Sequence, residues 1–122
     1  MAKKLAKSFH CSTEFTLAVL GGKWKTVILC FLKQRPFRYS ELRRLLPAVS
    51  DKVLTERLRD LASDGLITHR KGNRRDSPGI YSLAPRGRSL NDVLHHLYEW
   101  GHDNAAKFHV EVREPLKDFD RE

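Results

Sequence analysis

Three features of the sequence point to a mainly α-helical domain carrying one small β-hairpin. Two short amphipathic segments are separated by only four residues, Pro47 to Ser50. A basic, turn-rich stretch, Gly72 to Gly79, lies between two short apolar runs. Apolar residues then recur at steps of three and four from Leu90 to Trp100. The three-and-four period places side chains on one helix face, whereas short apolar runs bounded by turn formers read as strands.

The first helix is expected over Ser12 to Leu20, with Phe15, Val19 and Leu20 at helical spacing and Ser12 or Thr13 as cap. Gly21-Gly22 breaks it. A second helix, roughly Lys23 to Lys33, is apolar through Val27-Ile28-Leu29 and Phe31-Leu32, as a buried central helix would be. Gln34-Arg35-Pro36 ends it. A third, short helix opens at Tyr39-Ser40, with Ser40 as cap, and stops at Pro47. Ser50 caps a fourth helix from Asp51 to about Ser63, where Asp51 suits the positive end of the helix dipole and Gly65 the turn beyond its C-terminus. Strands over Leu66–Lys71 and Ile80–Leu83 flank the basic hairpin tip. Pro85, favoured at a helix start, opens a fifth helix carrying the stripe Leu90, Val93, Leu94, Leu97 and Trp100. Two helices at a tight turn followed by a basic-tipped hairpin make a winged helix-turn-helix.

Length and composition fit this. The chain has 122 residues, of which 40% are hydrophobic, enough for a single core and too few for a separate catalytic domain. Residues 1–112 are expected to form the domain and residues 113–122 a mixed-charge tail. No run of about 18 apolar residues occurs, so no membrane span is expected. The basic start, Met1 to Lys7, is not followed by an apolar signal run, which points to a cytoplasmic location. Two cysteines, Cys11 and Cys30, are too few for a disulfide framework or a cysteine-based zinc site. There is no GxSxG, no phosphate-binding glycine loop and no acid–base pair beside a nucleophile, so no enzymatic activity is expected.

The formal charge of +8 is unevenly placed. Glu111 to Glu122 holds three basic and five acidic residues, whereas Lys33 to Arg75 holds 12 basic and 5 acidic. The excess therefore sits on the helix-turn-helix and the hairpin, where a duplex would lie, and favours a polyanion. In the fourth helix Leu54, Leu58 and Leu61 fall on one face at i, i+4 and i+7. The other face carries Lys52, Thr55 and Arg59, residues suited to base edges, thymine methyls or phosphates. A division of labour follows: Lys52, Thr55 and Arg59 in the major groove, Ser50, Arg43 and Arg44 on phosphates, Arg74 and Arg75 in the adjacent minor groove or on the backbone. A solvated polar helix face is the plain alternative, as are nucleic-acid binding without sequence choice and service as a protein-interaction domain.

The segments Leu20-Gly21-Gly22-Lys23-Trp24, Phe37 to Arg44, Ser50 to Leu61, Asp64-Gly65-Leu66-Ile67, Tyr81-Ser82-Leu83, Gly87 to Leu90 and Glu99-Trp100-Gly101 together resemble the HxlR-type bacterial regulators. The resemblance covers roughly residues 10 to 102. It implies a winged-helix homodimer related to MarR-type regulators, associated with the bacterial nucleoid and joined through its first and last helices. The stripe Leu90, Val93, Leu94, Leu97, Trp100 suits that role. It further implies a sequence-specific regulator of transcription, a repressor on an inverted-repeat double-stranded DNA operator. The family tends to carry a cysteine just before the first helix, which in several members senses oxidants or electrophiles, and Cys11 occupies that place. The helix dipole, Lys7 and His10 would all favour its thiolate, while an inert thiol is the alternative. Cys30, inside the apolar second helix, reads as core.

His95, Glu99 and His102 share a helix face at i, i+4 and i+7, but no HExxH motif accompanies them. They read as surface histidines, and no metal or cofactor is expected.

Overall fold

The computed structural model describes residues 5–72 and 79–113. The candidate wing-tip residues Arg74 and Arg75, and the tail beyond Arg113, lie outside the described residues. The elements are α1 (Ser12–Leu20), α2 (Lys25–Gln34), β1 (Phe37–Arg38), α3 (Tyr39–Leu45), α4 (Asp51–Ser63), β2 (Ile67–Arg70), β3 (Ile80–Leu83), α5 (Pro85–Arg88) and α6 (Asn91–Asn104), with a short 3₁₀ turn at Ala106–Phe108. The strands form an antiparallel sheet in the order β1-β3-β2. This is the winged helix-turn-helix expected from the sequence.

Helix α2 runs through the centre. Ile28, Leu29, Cys30, Phe31 and Leu32 are all buried. Leu42 and Leu46 from α3, Leu54, Leu58 and Leu61 from α4, and Leu66, Ile67 and Leu83 from the sheet side close around it. Such a core has many mutually touching apolar side chains, and burial of this kind stabilises by about 25 cal/mol per Å² of apolar surface.

Three local details differ from the expectation, each for a physical reason. Helix α2 starts at Lys25 rather than Lys23 because Trp24 takes a left-handed conformation, φ 83°, costly for a bulky residue. That turn directs the Lys25 side chain inward, where it is 7% exposed. There Nζ donates to the Val19 carbonyl at 3.0 Å, near the end of α1, and lies 3.9 Å from Asp64 at the end of α4. A buried ammonium needs such partners to offset its desolvation.

Strand β1, only two residues long, pairs Phe37 with Tyr81 and Arg38 with Ile80. Two residues are too few to show an alternating pattern. Helix α3 accordingly begins at Tyr39 with Arg38 as N-cap, and Ser40 lies inside the helix instead of capping it. The Arg38 backbone N–H is satisfied by Glu41, whose Oε1 accepts it at 2.9 Å.

The expected fifth helix is two helices. The Leu90 N–H bonds the Gly87 carbonyl at 3.0 Å, a three-residue step that tightens the chain between α5 and α6. The apolar stripe splits between an inward and an outward face of α6. Leu94 is buried and Leu90 packs partly against the core, while Val93, Leu97 and Trp100 (62% exposed) face outward. Gly87 sits where α5 crosses the start of β2, and a Cβ there would collide with the Leu66 carbonyl oxygen.

Candidate nucleic-acid interface

Helix α4 is begun and oriented by its own sequence. Ser50 is the N-cap, and its Oγ accepts from the Val53 backbone N–H at 3.1 Å. Burial of Leu54, Leu58 and Leu61 fixes the helix rotation, leaving Lys52, Thr55 and Arg59 exposed together on the opposite side. Ser50 and Arg44 are exposed as well.

The turn between α3 and α4 is braced by a polar network that sequence spacing did not reveal. Arg43 donates from Nε to Asp51 Oδ1 at 2.7 Å and from Nη1 to the Leu46 carbonyl at 3.0 Å. It is half-buried, committed to its own chain across the turn. The Tyr39 hydroxyl donates to the same Asp51 oxygen at 2.7 Å. Burial raises the Tyr39 hydroxyl pKa, and the Thr55 side chain, one turn further along α4, opposes that rise. Asp51 thus gathers two donors from α3 while it sits in the first turn of α4.

This arrangement has a pH signature. The Tyr39 hydrogen bond, then the nearby Arg43 charge, hold the Asp51 carboxyl below its ordinary value. A group depressed in the folded state contributes its stability above the unfolded-state pKa and loses it as pH falls through the folded value. Titration followed by carboxyl NMR should give an Asp51 midpoint below that of a free aspartate, and Tyr39→Phe should move it upward. An unchanged midpoint in that variant would remove Tyr39 from the network.

The root of the hairpin lies beside this helix. His69 on β2 and Tyr81 on β3 are direct cross-strand partners, stacked with ring centroids 4.1 Å apart and 6° between planes. Burial raises the Tyr81 hydroxyl pKa; Tyr39 nearby raises it further and the Arg59 charge opposes the rise. Tyr39, Tyr81 and Arg59 therefore form one electrostatic neighbourhood where α3, α4 and the sheet meet. Arg70 and Lys71, exposed, continue toward the hairpin tip.

Cys11 is exposed and is itself the N-cap of α1, in place of the Ser12 or Thr13 expected. The backbone N–H groups of Glu14 and then Thr13 favour its thiolate and lower its pKa. The neighbouring His10, expected to add positive charge, faces a carboxylate: its backbone N–H donates to Glu14 Oε1 at 2.7 Å and its ring Nδ1 lies 3.4 Å from the same oxygen. Cys30 is buried in α2, as the sequence suggested. On α6, His95 pairs with Glu99 at 3.1 Å, while His102 stacks on Tyr98.

Sequence reasoning located the exposed face of α4 and missed what holds it. Tyr39 read only as the start of a helix and Asp51 only as a dipole partner. Their twelve-residue separation corresponds to no helical or strand period. Arg57 was missed too: its Nε donates to the Lys23 carbonyl at 3.0 Å, across 34 residues of chain.

Comparison with known proteins agrees with this geometry. Residues 19–108 match the family model described as HxlR-like helix-turn-helix. An HTH-type transcriptional regulator of Bacillus subtilis (strain 168), YtcD, is 39% identical over 112 residues, spanning 92% of this chain and 89% of that protein. Among solved structures, the redox regulator HypR in its reduced form superposes with a TM-score of 0.78 at 32% identity, covering 81% of this chain and 98% of HypR. The oxidised form of HypR gives a TM-score of 0.71 at 35% identity, covering 77% and 97%. These relatives are named as regulators, not as enzymes. With the family model spanning most of its length and its winged helix-turn-helix in place, the chain belongs to the HxlR-like helix-turn-helix family of transcriptional regulators.

Proposed function

We propose that this regulator binds double-stranded DNA in a sequence-specific way, as a homodimer and a repressor on an inverted-repeat operator of the bacterial nucleoid, in the cytoplasm. The observation that carries this is the exposed Lys52–Thr55–Arg59 face of a helix whose opposite side is locked into the core. Lys52, Thr55 and Arg59 enter the major groove, and Ser50 and Arg44 hold phosphates. Ser50 keeps a hydroxyl proton to donate outward while its oxygen caps the helix. Arg43 supports the turn rather than the phosphate backbone in this reading, because two of its nitrogens are already engaged. Arg74 and Arg75 would extend the contact from the hairpin tip. Residues 1–112 act as one unit, with 113–122 as a tail.

The exposed apolar residues Phe15 and Leu17 on α1, with Val93, Leu97 and Trp100 on α6, support a second copy as partner. Selection from a random duplex pool by the purified chain should enrich an inverted repeat, and the mass in solution should be that of a dimer. A pool that stays random would leave nucleic-acid binding without sequence choice, and a monomeric mass at micromolar concentration would remove the paired recognition helices.

Cys11 is the proposed sensor of an oxidant or small electrophile. Its thiolate is favoured by the first backbone N–H groups of α1, and the relative HypR is named a redox regulator. Treatment with peroxide or a quinone should change operator affinity of the native chain and leave that of Cys11→Ser unaltered. A full response in Cys11→Ser would refute the sensor.

A further inference from the structure

A cavity of about 490 Å³ lies between helix α1, the C-terminal end of α4 and the turn from α5 to α6. Its walls are mainly apolar: Leu5, Phe15 and Val19 from the N-terminal part of the chain, Leu66 and Leu90 from beyond α4. That volume is ordinary for a small-molecule site, about 300–1,000 Å³.

The same cavity carries a charged group held in place. Arg86, in α5, donates from Nη1 to the Asp64 carbonyl at 2.8 Å. Its guanidinium lies over Gly65, where φ is 76° and an added Cβ would come within 2.9 Å of Nη1. Among the described residues this is the hydrogen bond that Arg86 donates, so the edge formed by Nε and Nη2 is left to grip a carboxylate with two parallel bonds. The Asp64 carboxylate also borders the cavity, but the buried Lys25 ammonium lies 3.9 Å from it, and Arg86 sets the local sign. The Thr16 and Ser89 hydroxyls, on the same walls, donate to the Ser12 and Arg86 carbonyls and are spent within the chain.

Apolar walls with one positioned guanidinium match a molecule with an apolar tail and a single carboxylate. Four of the five apolar side chains are aliphatic, which suits a flexible alkyl tail. A second copy of the chain fits less well, because the core of a protein interface is depleted of charge and this one would face Arg86 and Asp64.

We propose that this cavity is an effector site for an amphipathic aliphatic monocarboxylate, its carboxylate paired with Arg86 and its tail among Leu5, Phe15, Val19, Leu66 and Leu90. The inference goes beyond the DNA-binding reading in naming a ligand, and rests on that reading only for the effect on operator affinity. The ligand sits between α1 and Ser63-Asp64 at the end of α4, so its presence bears on the orientation of the helix that carries Lys52, Thr55 and Arg59.

The test uses the full chain, octanoate as probe and titration calorimetry on the protein alone. 1-Octanol supplies the same tail length without the charge, and acetate the head without the tail. Octanoate should bind about tenfold more tightly than 1-octanol, the scale of a hydrogen bond to a charged group, and acetate should give no measurable heat. Affinity should rise about two- to fourfold per methylene from hexanoate to octanoate. Arg86→Gln should lose the preference for octanoate over 1-octanol and Arg86→Lys should keep part of it, with thermal unfolding verifying both folds. Octanoate should change operator affinity by about fivefold or more in the native chain and leave that of Arg86→Gln unaltered. Equal binding of octanoate and 1-octanol, undiminished octanoate binding by Arg86→Gln, or tighter binding of the aromatic acid 2-naphthoate would overturn the assignment. So would octanoate splitting a dimer into monomers, which would put the second copy in the cavity. Octanoate held at Arg86 with operator affinity unchanged would remove the effector role. If no duplex is selected at all, the DNA-binding reading falls while calorimetry still decides the ligand site.

Discussion

Arg59→Ala is expected to weaken binding to the selected operator far more than binding to random duplex. Arg59 is exposed at the end of the outward face of α4, on the side toward Tyr81 and the hairpin root. A guanidinium there presents paired donors to guanine, an interaction of about 1–3 kcal/mol per site. A homodimer engages two half-sites, so the combined loss should be about thirtyfold or more on the operator. On random duplex only a positive charge is removed, and the loss should be a few-fold and salt-dependent. The folded state should be nearly unaffected, because exposed substitutions away from special features usually stay within about 0.5 kcal/mol. Anisotropy titrations on both duplexes decide the matter. Equal losses on the two would make Arg59 a phosphate contact and move base reading elsewhere.

Gly87→Ala is expected to have the largest effect on stability. Gly87 lies in α5 where that short helix presses on the residue leading into β2. An added methyl would be driven into the Leu66 carbonyl oxygen, with the Leu83 side chain 3.1 Å away on another side. The carbonyl cannot simply move, since it accepts the Ala84 N–H at 2.9 Å and holds the entry to α5. Overpacking against fixed backbone costs about 1–3 kcal/mol or more, and the upper part of that range applies where the obstacle is main chain. At about 4 °C per kcal/mol for a domain of this size, the melting temperature should fall by roughly 10 °C. A shift below about 2 °C would mean that α5 slides freely over the sheet.

The winged helix-turn-helix itself was legible because its main signals are local. The spacing of Leu54, Leu58 and Leu61, the Ser50 cap and the four-residue turn each lie within one or two helical turns of sequence. The outward face of α4 followed from the inward one. The supporting contacts were not legible, since Tyr39 meets Asp51 and Arg57 meets Lys23 only after the helices have packed. Strand β1 was too short for a period, and the bend at Leu90 was hidden because Pro85 marks a helix start while the apolar spacing begins only at Leu90. Cys11 was placed correctly at a helix start, but the neighbour expected to support it, His10, turned to Glu14 instead. A side chain's rotamer is set by what surrounds it, and its charge alone does not fix that choice.

The buried Lys25 carries a mechanical consequence. Its ammonium group is a rivet joining the last turn of α1 to the C-cap of α4, itself shielded from water although Asp64 is partly exposed. A push on α1 then has two courses: drag the far end of α4 along, or pull a cation away from its oxygens. The second is the more expensive, so a displacement of α1 is expected to carry the end of α4 with it as a tilt.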